Sequence, residues 1–97
     1  MKNKTLKTKP LDIADLLETD EDIMLFLQEM AEEGTSSEFV HALGIAARAK
    51  GMSKIAREMG VSRSSLYKSL SEEGNPGYET VRQVIEALGC KIKLEPV

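Results

Sequence analysis

Hydroxyl and basic side chains cluster between residues 62 and 68, and their chemistry suits hydrogen bonding to nucleic acid. Arg63 can donate a bidentate pair of hydrogen bonds to guanine O6 and N7, and serine hydroxyls can bind phosphate oxygens. These contacts require the cluster to lie on the exposed start of a helix that enters the major groove. The side chains predicted to contact base edges are Ser62, Arg63, Ser64, Tyr67 and Lys68.

A second group of basic and hydroxyl side chains is predicted to contact the DNA backbone. Phosphate contacts of this kind position a protein on the duplex without reading its sequence. The members of this group are Lys50, Ser53, Lys54, Arg57 and Ser65.

The spacing of apolar and small residues predicts a helix-turn-helix over residues 52–70. Ala56 is small where the two helices should approach, and Gly60, four residues later, suits a left-handed turn. The same spacing also fits a plain helical hairpin that never meets DNA. The residues predicted to form the wedge between the helices are Ile55, Ala56, Met59, Gly60, Val61, Leu66 and Leu70.

The net charge of −3 is distributed unevenly along the 97 residues. Residues 11–44 carry ten acidic residues and no lysine or arginine, whereas residues 45–70 carry six basic residues and one acid. Because the Debye length is only about 8 Å at physiological salt, the local charge decides what a surface attracts. The basic segment is therefore compatible with DNA despite the net charge. Residues 1–10, which carry four lysines and no acid, are predicted to be a disordered basic tail.

Apolar periodicity predicts an all-α fold, a compact five-helix domain over residues 11–97. Thr19 is predicted to cap the first helix, and Ser36 or Ser37 the second. The predicted elements are a helical turn at 11–17, helices at 20–33, 37–50, 52–59, 63–70 and 78–88, a loop at 71–77 and a strand at 91–95.

The predicted C-terminal strand suggests how two copies of the chain could associate. Ile92 and Leu94 alternate with charged residues, and a lone strand leaves unpaired backbone groups. Pairing with a second copy would give a homodimer that matches a palindromic operator. Pairing with residues 11–17 of the same chain, or fraying, is the alternative.

Catalysis and metal binding have little support in the sequence. His41 is the only histidine and Cys90 the only cysteine, so neither a metal-ligand set nor a disulfide is indicated. The acidic residues form no recognisable dyad, and no glycine-rich phosphate loop is present. We expect a protein that is not an enzyme and has no cofactor or membrane span. The expected location is the cytoplasm, at the nucleoid when bound to DNA.

The stretch from Leu11 to Pro96 resembles the HigA-like addiction module antidote (antitoxin) family, which has a phage-repressor-type, XRE/Cro-like helix-turn-helix. The motifs that carry the resemblance are LDIADLLETDEDIMLFL, LGIAARAKGMSKIAREMGVSRSSLYKSLSEEGNP and VIEALG. The resemblance implies a lambda-repressor-like helix-turn-helix domain. It also implies an antitoxin that neutralises a basic RelE/HigB-like toxin and represses its own operon. Gly77-Tyr78 departs from the family pattern, in which a longer residue opens the next helix.

The acidic segment 11–44 is the candidate surface for such a toxin. Ile23, Met24, Phe26 and Leu27 are its possible apolar anchors, although Ile23 and Phe26 also suit an intramolecular core. Two other functions fit the same residues. One is a stand-alone phage-type transcriptional regulator without a toxin, and the other is a helical module that binds only proteins.

Overall fold

A computed structural model describes residues 11–97 of the chain. The predicted disordered tail, residues 1–10, lies outside the described residues. A short 3-10 turn precedes five α-helices, which confirms the all-α expectation. The elements are the 3-10 turn Ile13–Leu16, α1 Asp20–Glu33, α2 Ser36–Lys50, α3 Met52–Met59, α4 Arg63–Ser69 and α5 Tyr78–Ala87.

The first two helices begin with capping boxes. The Thr19 hydroxyl accepts a hydrogen bond from the backbone N–H of Asp22, whose carboxylate accepts one from the N–H of Thr19. Thr35 and Glu38 form the same reciprocal pair at the start of α2. The prediction that Ser36 or Ser37 caps α2 was therefore wrong. Thr35 is the N-cap because Glu38 lies three residues after it. At this spacing the Glu38 side chain can accept a hydrogen bond from the backbone N–H of the cap residue.

α2 is the central helix of the core. Leu43, Ala46 and Ala47 are buried, and α1, α3, α5 and the 3-10 turn all pack against this helix. Small alanines let these neighbours approach closely, and larger side chains fill the remaining space. The largest fully buried side chains are Leu43, Ile55, Leu66, Val84 and Leu88.

The C-terminal strand predicted at 91–95 is not seen, and residues 90–97 have no regular secondary structure. Ile92 is 39 % exposed and Leu94 is 91 % exposed, so neither belongs to the core. The physical reason is that a strand needs a neighbouring strand to satisfy its backbone groups. The suggested partner within the chain cannot serve, because Ile13–Leu16 is a 3-10 turn.

The helices of residues 11–97 are all too short or too polar to cross a lipid bilayer.

Candidate nucleic-acid interface

α3 and α4 form a compact pair joined by residues 60–62. Ile55 and Ala56 of α3 are buried, as are Leu66 and Leu70 at α4. Met59 is half-buried and packs against the same cluster. The predicted helix bounds 52–59 are confirmed, and α4 ends at Ser69 with Leu70 as its C-cap.

The turn between the two helices has a defined hydrogen-bonding pattern. Gly60 has a left-handed backbone with φ 74° and ψ 28°. The N–H of Gly60 donates to the carbonyl of Arg57 at 3.2 Å, and the N–H of Val61 donates to the carbonyl of Ala56 at 3.0 Å. This pair of bonds is a Schellman motif, which satisfies the last carbonyls of α3. The Ser62 hydroxyl then accepts from the N–H of Ser65 at 3.0 Å and caps α4.

The predicted burial of Val61 was wrong. Its side chain is 41 % exposed, although its backbone is fixed in the Schellman motif. The predicted wedge residues that are buried are Ile55, Ala56, Leu66 and Leu70.

The residues predicted to read bases all lie at the solvent-facing surface of α4 and its cap. Their side chains are exposed, and that of Tyr67 is 61 % exposed. Leu66, between them in sequence, is buried and fixes the rotation of α4. A shallow hollow runs along this surface, lined by Ser64, Ser65, Tyr67, Lys68 and Ser71.

The residues predicted to bind phosphates fall into two groups. Ser53, Lys54, Arg57 and Ser65 are exposed. Lys50 is half-buried, and its Nζ lies 2.6 Å from Oδ1 of Asp20 in α1. The hydrogen bond from Lys50 lowers the pKa of the Asp20 carboxyl. Lys50 therefore already has an anionic partner within the chain.

Sequence reasoning missed Arg48. Its guanidinium binds both carboxylate oxygens of Asp12, and this hydrogen bonding lowers the pKa of Asp12 and raises that of Arg48. Arg48 also lines an open cleft between α2 and α4 together with His41 and Tyr67. The sequence predicts that Arg48 lies in the last turn of a helix. It does not predict the partner, because Asp12 lies 36 residues upstream.

The loop after α4 is packed closely against that helix. The Ser71 hydroxyl donates to the carbonyl of Lys68 at 2.8 Å, and the N–H of Gly74 donates to the carbonyl of Ser71 at 2.9 Å. A Cβ at Gly74 would lie 2.1 Å from the carbonyl oxygen of Ser69, so only glycine fits. The loop thereby holds the C-terminal end of α4 in place. Residues 11–97 contain no group of His, Cys, Asp or Glu side chains arranged to hold a metal ion.

Comparison with known proteins decides the family. The family model described as "Probable addiction module antidote protein" matches residues 7–96. This chain belongs to that antidote family. A protein of Haemophilus influenzae (strain ATCC 51907 / DSM 11121 / KW20 / Rd), described as an uncharacterized protein, is 42 % identical over 91 residues, which cover 94 % of each chain. No solved structure matches the chain significantly.

Membership of the antidote family confirms the general part of the resemblance drawn from the sequence. An antidote implies a cognate toxin as partner, and it suggests a regulatory protein rather than an enzyme. The toxin requires a binding surface on this chain. The α3–α4 pair with its exposed polar face is the candidate surface for nucleic acid.

Proposed function

We propose that this protein is the antitoxin of a type II toxin–antitoxin module in the cytoplasm. In this proposal the α3–α4 pair is a DNA-binding helix-turn-helix that binds operator DNA and represses the module's own operon. The protein also neutralises its toxin, of the RelE/HigB-like class. The observation that carries the DNA part is that α4 buries only Leu66 in the core and presents its predicted base-reading residues to solvent.

The charge of the α3–α4 pair supports the proposal. Lys54, Arg57, Arg63 and Lys68 form no ion pair among residues 11–97, and Glu58 is the one acid between residues 45 and 70. Exposed cations of this kind release counterions from DNA when they neutralise phosphates, which drives binding at moderate salt. Arg48 and Lys50, by contrast, are neutralised by acids from the N-terminal part of the chain.

The size of α4 also suits a DNA groove. The major groove is about 12 Å wide, and a helix with long side chains nearly fills it. Ser64, Ser65 and Ser69 keep α4 narrow, while Arg63 and Lys68 remain long enough to reach bases or phosphates. The Ser62 cap leaves the first turn of α4 accessible, where base contacts are made in helix-turn-helix proteins.

We further propose that the protein binds a palindromic operator as a homodimer. The exposed segment 91–95 has the alternating pattern of a strand and no partner within residues 11–97. A two-fold axis through two such segments would supply the missing backbone partners. Binding to two half-sites one DNA turn apart requires the two α4 helices to lie about 34 Å apart. A chain lacking residues 90–97 should sediment as a monomer. A dimer that persists would exclude this segment as the main interface.

The proposal is tested by measuring binding to the DNA upstream of the protein's own reading frame. Gel shifts should show preference for this DNA over a scrambled duplex. Arg63→Ala should reduce that preference by about 1–3 kcal/mol. Arg82→Ala is the matched control, because Arg82 lies on α5 and pairs with Glu86. Equal discrimination by the Arg63 variant and wild type would exclude Arg63 from base reading, and absence of any DNA binding would favour a module that binds only proteins.

A further inference from the structure

α1 has one face in the core and one face without a partner among residues 11–97. Ile23 and Leu27 are buried against α2, and Met30 packs beside them. On the opposite side, Met24 is 41 % exposed and Leu25 is 51 % exposed. We call the exposed side the outer α1 face. It consists of Glu21, Met24, Leu25, Gln28 and Glu32.

The outer α1 face is an apolar centre with acids at both ends. Glu21, Leu25 and Glu32 lie at positions i, i+4 and i+11, which fall along one side of a helix. Leu25 lies on this line and Met24 lies about 100° around the helix from it, so two large apolar side chains stand between Glu21 and Glu32 along the helix. An apolar centre with a charged rim is the usual composition of a protein-binding surface.

Most of the acids around this face form neither an ion pair nor a helix cap within residues 11–97. Of the ten acids between residues 11 and 44, Asp12 and Asp20 form ion pairs, while Asp22 and Glu38 cap helices. The other acids of this segment form no ion pair with any residue of 11–97. These are Asp15, Glu18, Glu21, Glu29, Glu32 and Glu33. The segment contains no lysine or arginine, so all of its own charges are negative.

This charge selects among the possible occupants. A second copy of the chain would place the same acids against themselves in a two-fold contact, which repels. DNA is repelled for the same reason. A protein with basic residues around an apolar pocket satisfies both the acids and the apolar centre.

We propose that the outer α1 face is the docking surface for such a basic protein, and that this partner is the toxin implied by the antidote family. Met24 and Leu25 fill its apolar pocket, while Glu21 and Glu32 meet its basic rim. This inference rests on the antitoxin part of the proposed function but is independent of the DNA part. It also corrects the anchors expected from the sequence. Ile23 and Leu27 are core residues and Phe26 is half-buried, so Met24 is the one expected anchor that remains and Leu25 replaces the others.

The test measures binding of the full chain to the purified product of the reading frame adjacent to its own, by isothermal titration calorimetry. Leu25→Ala should weaken binding at least about tenfold, because a central apolar anchor is lost. The double variant Glu21→Lys, Glu32→Lys should weaken it by about tenfold or more and slow association. Alanine is a better helix former than leucine, so Leu25→Ala preserves α1.

Controls separate this surface from general effects. Tyr78→Ala removes an aromatic side chain of α5 that is even more exposed than Leu25, and Glu72→Lys, Glu73→Lys reverses two acids outside the segment. Both controls should bind within about twofold of wild type, as surface substitutions away from an interface do. Leu25→Ala and Tyr78→Ala, which leave the net charge unchanged, should keep the wild-type affinity for operator DNA. If neither wild type nor any variant binds operator DNA while partner binding is intact, only the proposed DNA-binding function is refuted.

Three results would overturn the inference. One is a wild-type affinity for the adjacent product in the Leu25 and Glu21/Glu32 variants, or no affinity in wild type. The second is a shift from dimer to monomer in sedimentation of Leu25→Ala, which would identify a second copy as the occupant. The third is a loss of partner binding on deleting residues 1–10, which would assign partner binding to that segment and not to the outer α1 face.

Discussion

Arg48, in the last turn of α2, donates two hydrogen bonds to the carboxylate of Asp12, at 2.9 and 3.1 Å. The pair joins residues 36 positions apart and attaches the 3-10 turn to the central helix. Lys50 and Asp20 form a second bond of this kind, between the end of α2 and the start of α1. The acidic and basic segments of the sequence are thus connected at two points, both at the C-terminal end of α2.

These ion pairs predict a pH dependence of stability. Their hydrogen bonds lower the pKa of Asp12 and of Asp20 below the usual value of 3.8. At pH values near and below 3.8, the unfolded chain therefore binds more protons than the folded chain. The stabilising contribution is fully present above about pH 3.8 and is lost as the pH falls through the folded pKa values. Urea melts between pH 6 and pH 2.5 should show this loss for wild type.

The contribution of the Asp12 pair is isolated by comparing two neighbouring acids. Asp12→Asn should remove part of the acid sensitivity in urea melts, because the neutral amide does not titrate. Asp15→Asn is the matched control, since Asp15 forms no ion pair within residues 11–97. Because both partners of the Asp12 pair are substantially exposed, its effect should shrink in high salt. Identical pH profiles for Asp12→Asn and wild type would contradict the prediction.

The left-handed turn predicts a specific cost for a methyl group at Gly60. Gly60 has φ +74°, and nothing lies within 4 Å of the place where a Cβ would be. Any loss in Gly60→Ala therefore reflects backbone strain and not a steric clash, and it should be about 1 kcal/mol in chemical denaturation. Gly77→Ala tests this, because Gly77 is equally open but has φ −75°. Its free energy of unfolding should stay within about 0.5 kcal/mol of wild type.

The helices were predictable from the sequence because their signals are local. Gly34, Gly51 and Gly60 end helices where the apolar periodicity stops, and Thr19 begins one. The antidote family was also predictable, since the motifs that carry it extend over nearly the whole chain. The rotation of α4 followed from Leu66 and Leu70, whose spacing fixes which side is buried.

What failed depended on contacts that no local pattern encodes. The strand at 91–95 has the right alternation, but a strand exists only beside another strand. Val61 is apolar and lies in the turn, yet its exposure is decided by the Schellman hydrogen bond to Ala56. The ion pair of Lys50 with Asp20 was not predicted, because Asp20 is 30 residues away in sequence.

The N-cap of α2 gives a prediction that distinguishes Thr35 from the serines beside it. Thr35→Ala removes the hydroxyl that accepts from the N–H of Glu38 at 3.1 Å, and should cost about 1 kcal/mol of stability. Ser37→Ala should be neutral or slightly stabilising, because Ser37 lies inside the helix, where alanine is preferred. Thermal melts of the two variants check the order. A larger loss of stability in Ser37→Ala than in Thr35→Ala would show that Thr35 is not the N-cap of α2.

The last prediction separates a free lysine from a paired one on the proposed DNA face. Each lysine that neutralises a phosphate contributes about 0.9 to the slope of log K against log salt. Lys54 is exposed and forms no ion pair within residues 11–97, so Lys54→Ala should reduce the slope by about that amount for operator and random DNA alike. Lys50 is held 2.6 Å from Asp20, so Lys50→Ala should leave the slope nearly unchanged. An equal loss of slope in both variants would mean that Lys50 leaves Asp20 to bind phosphate when DNA is present.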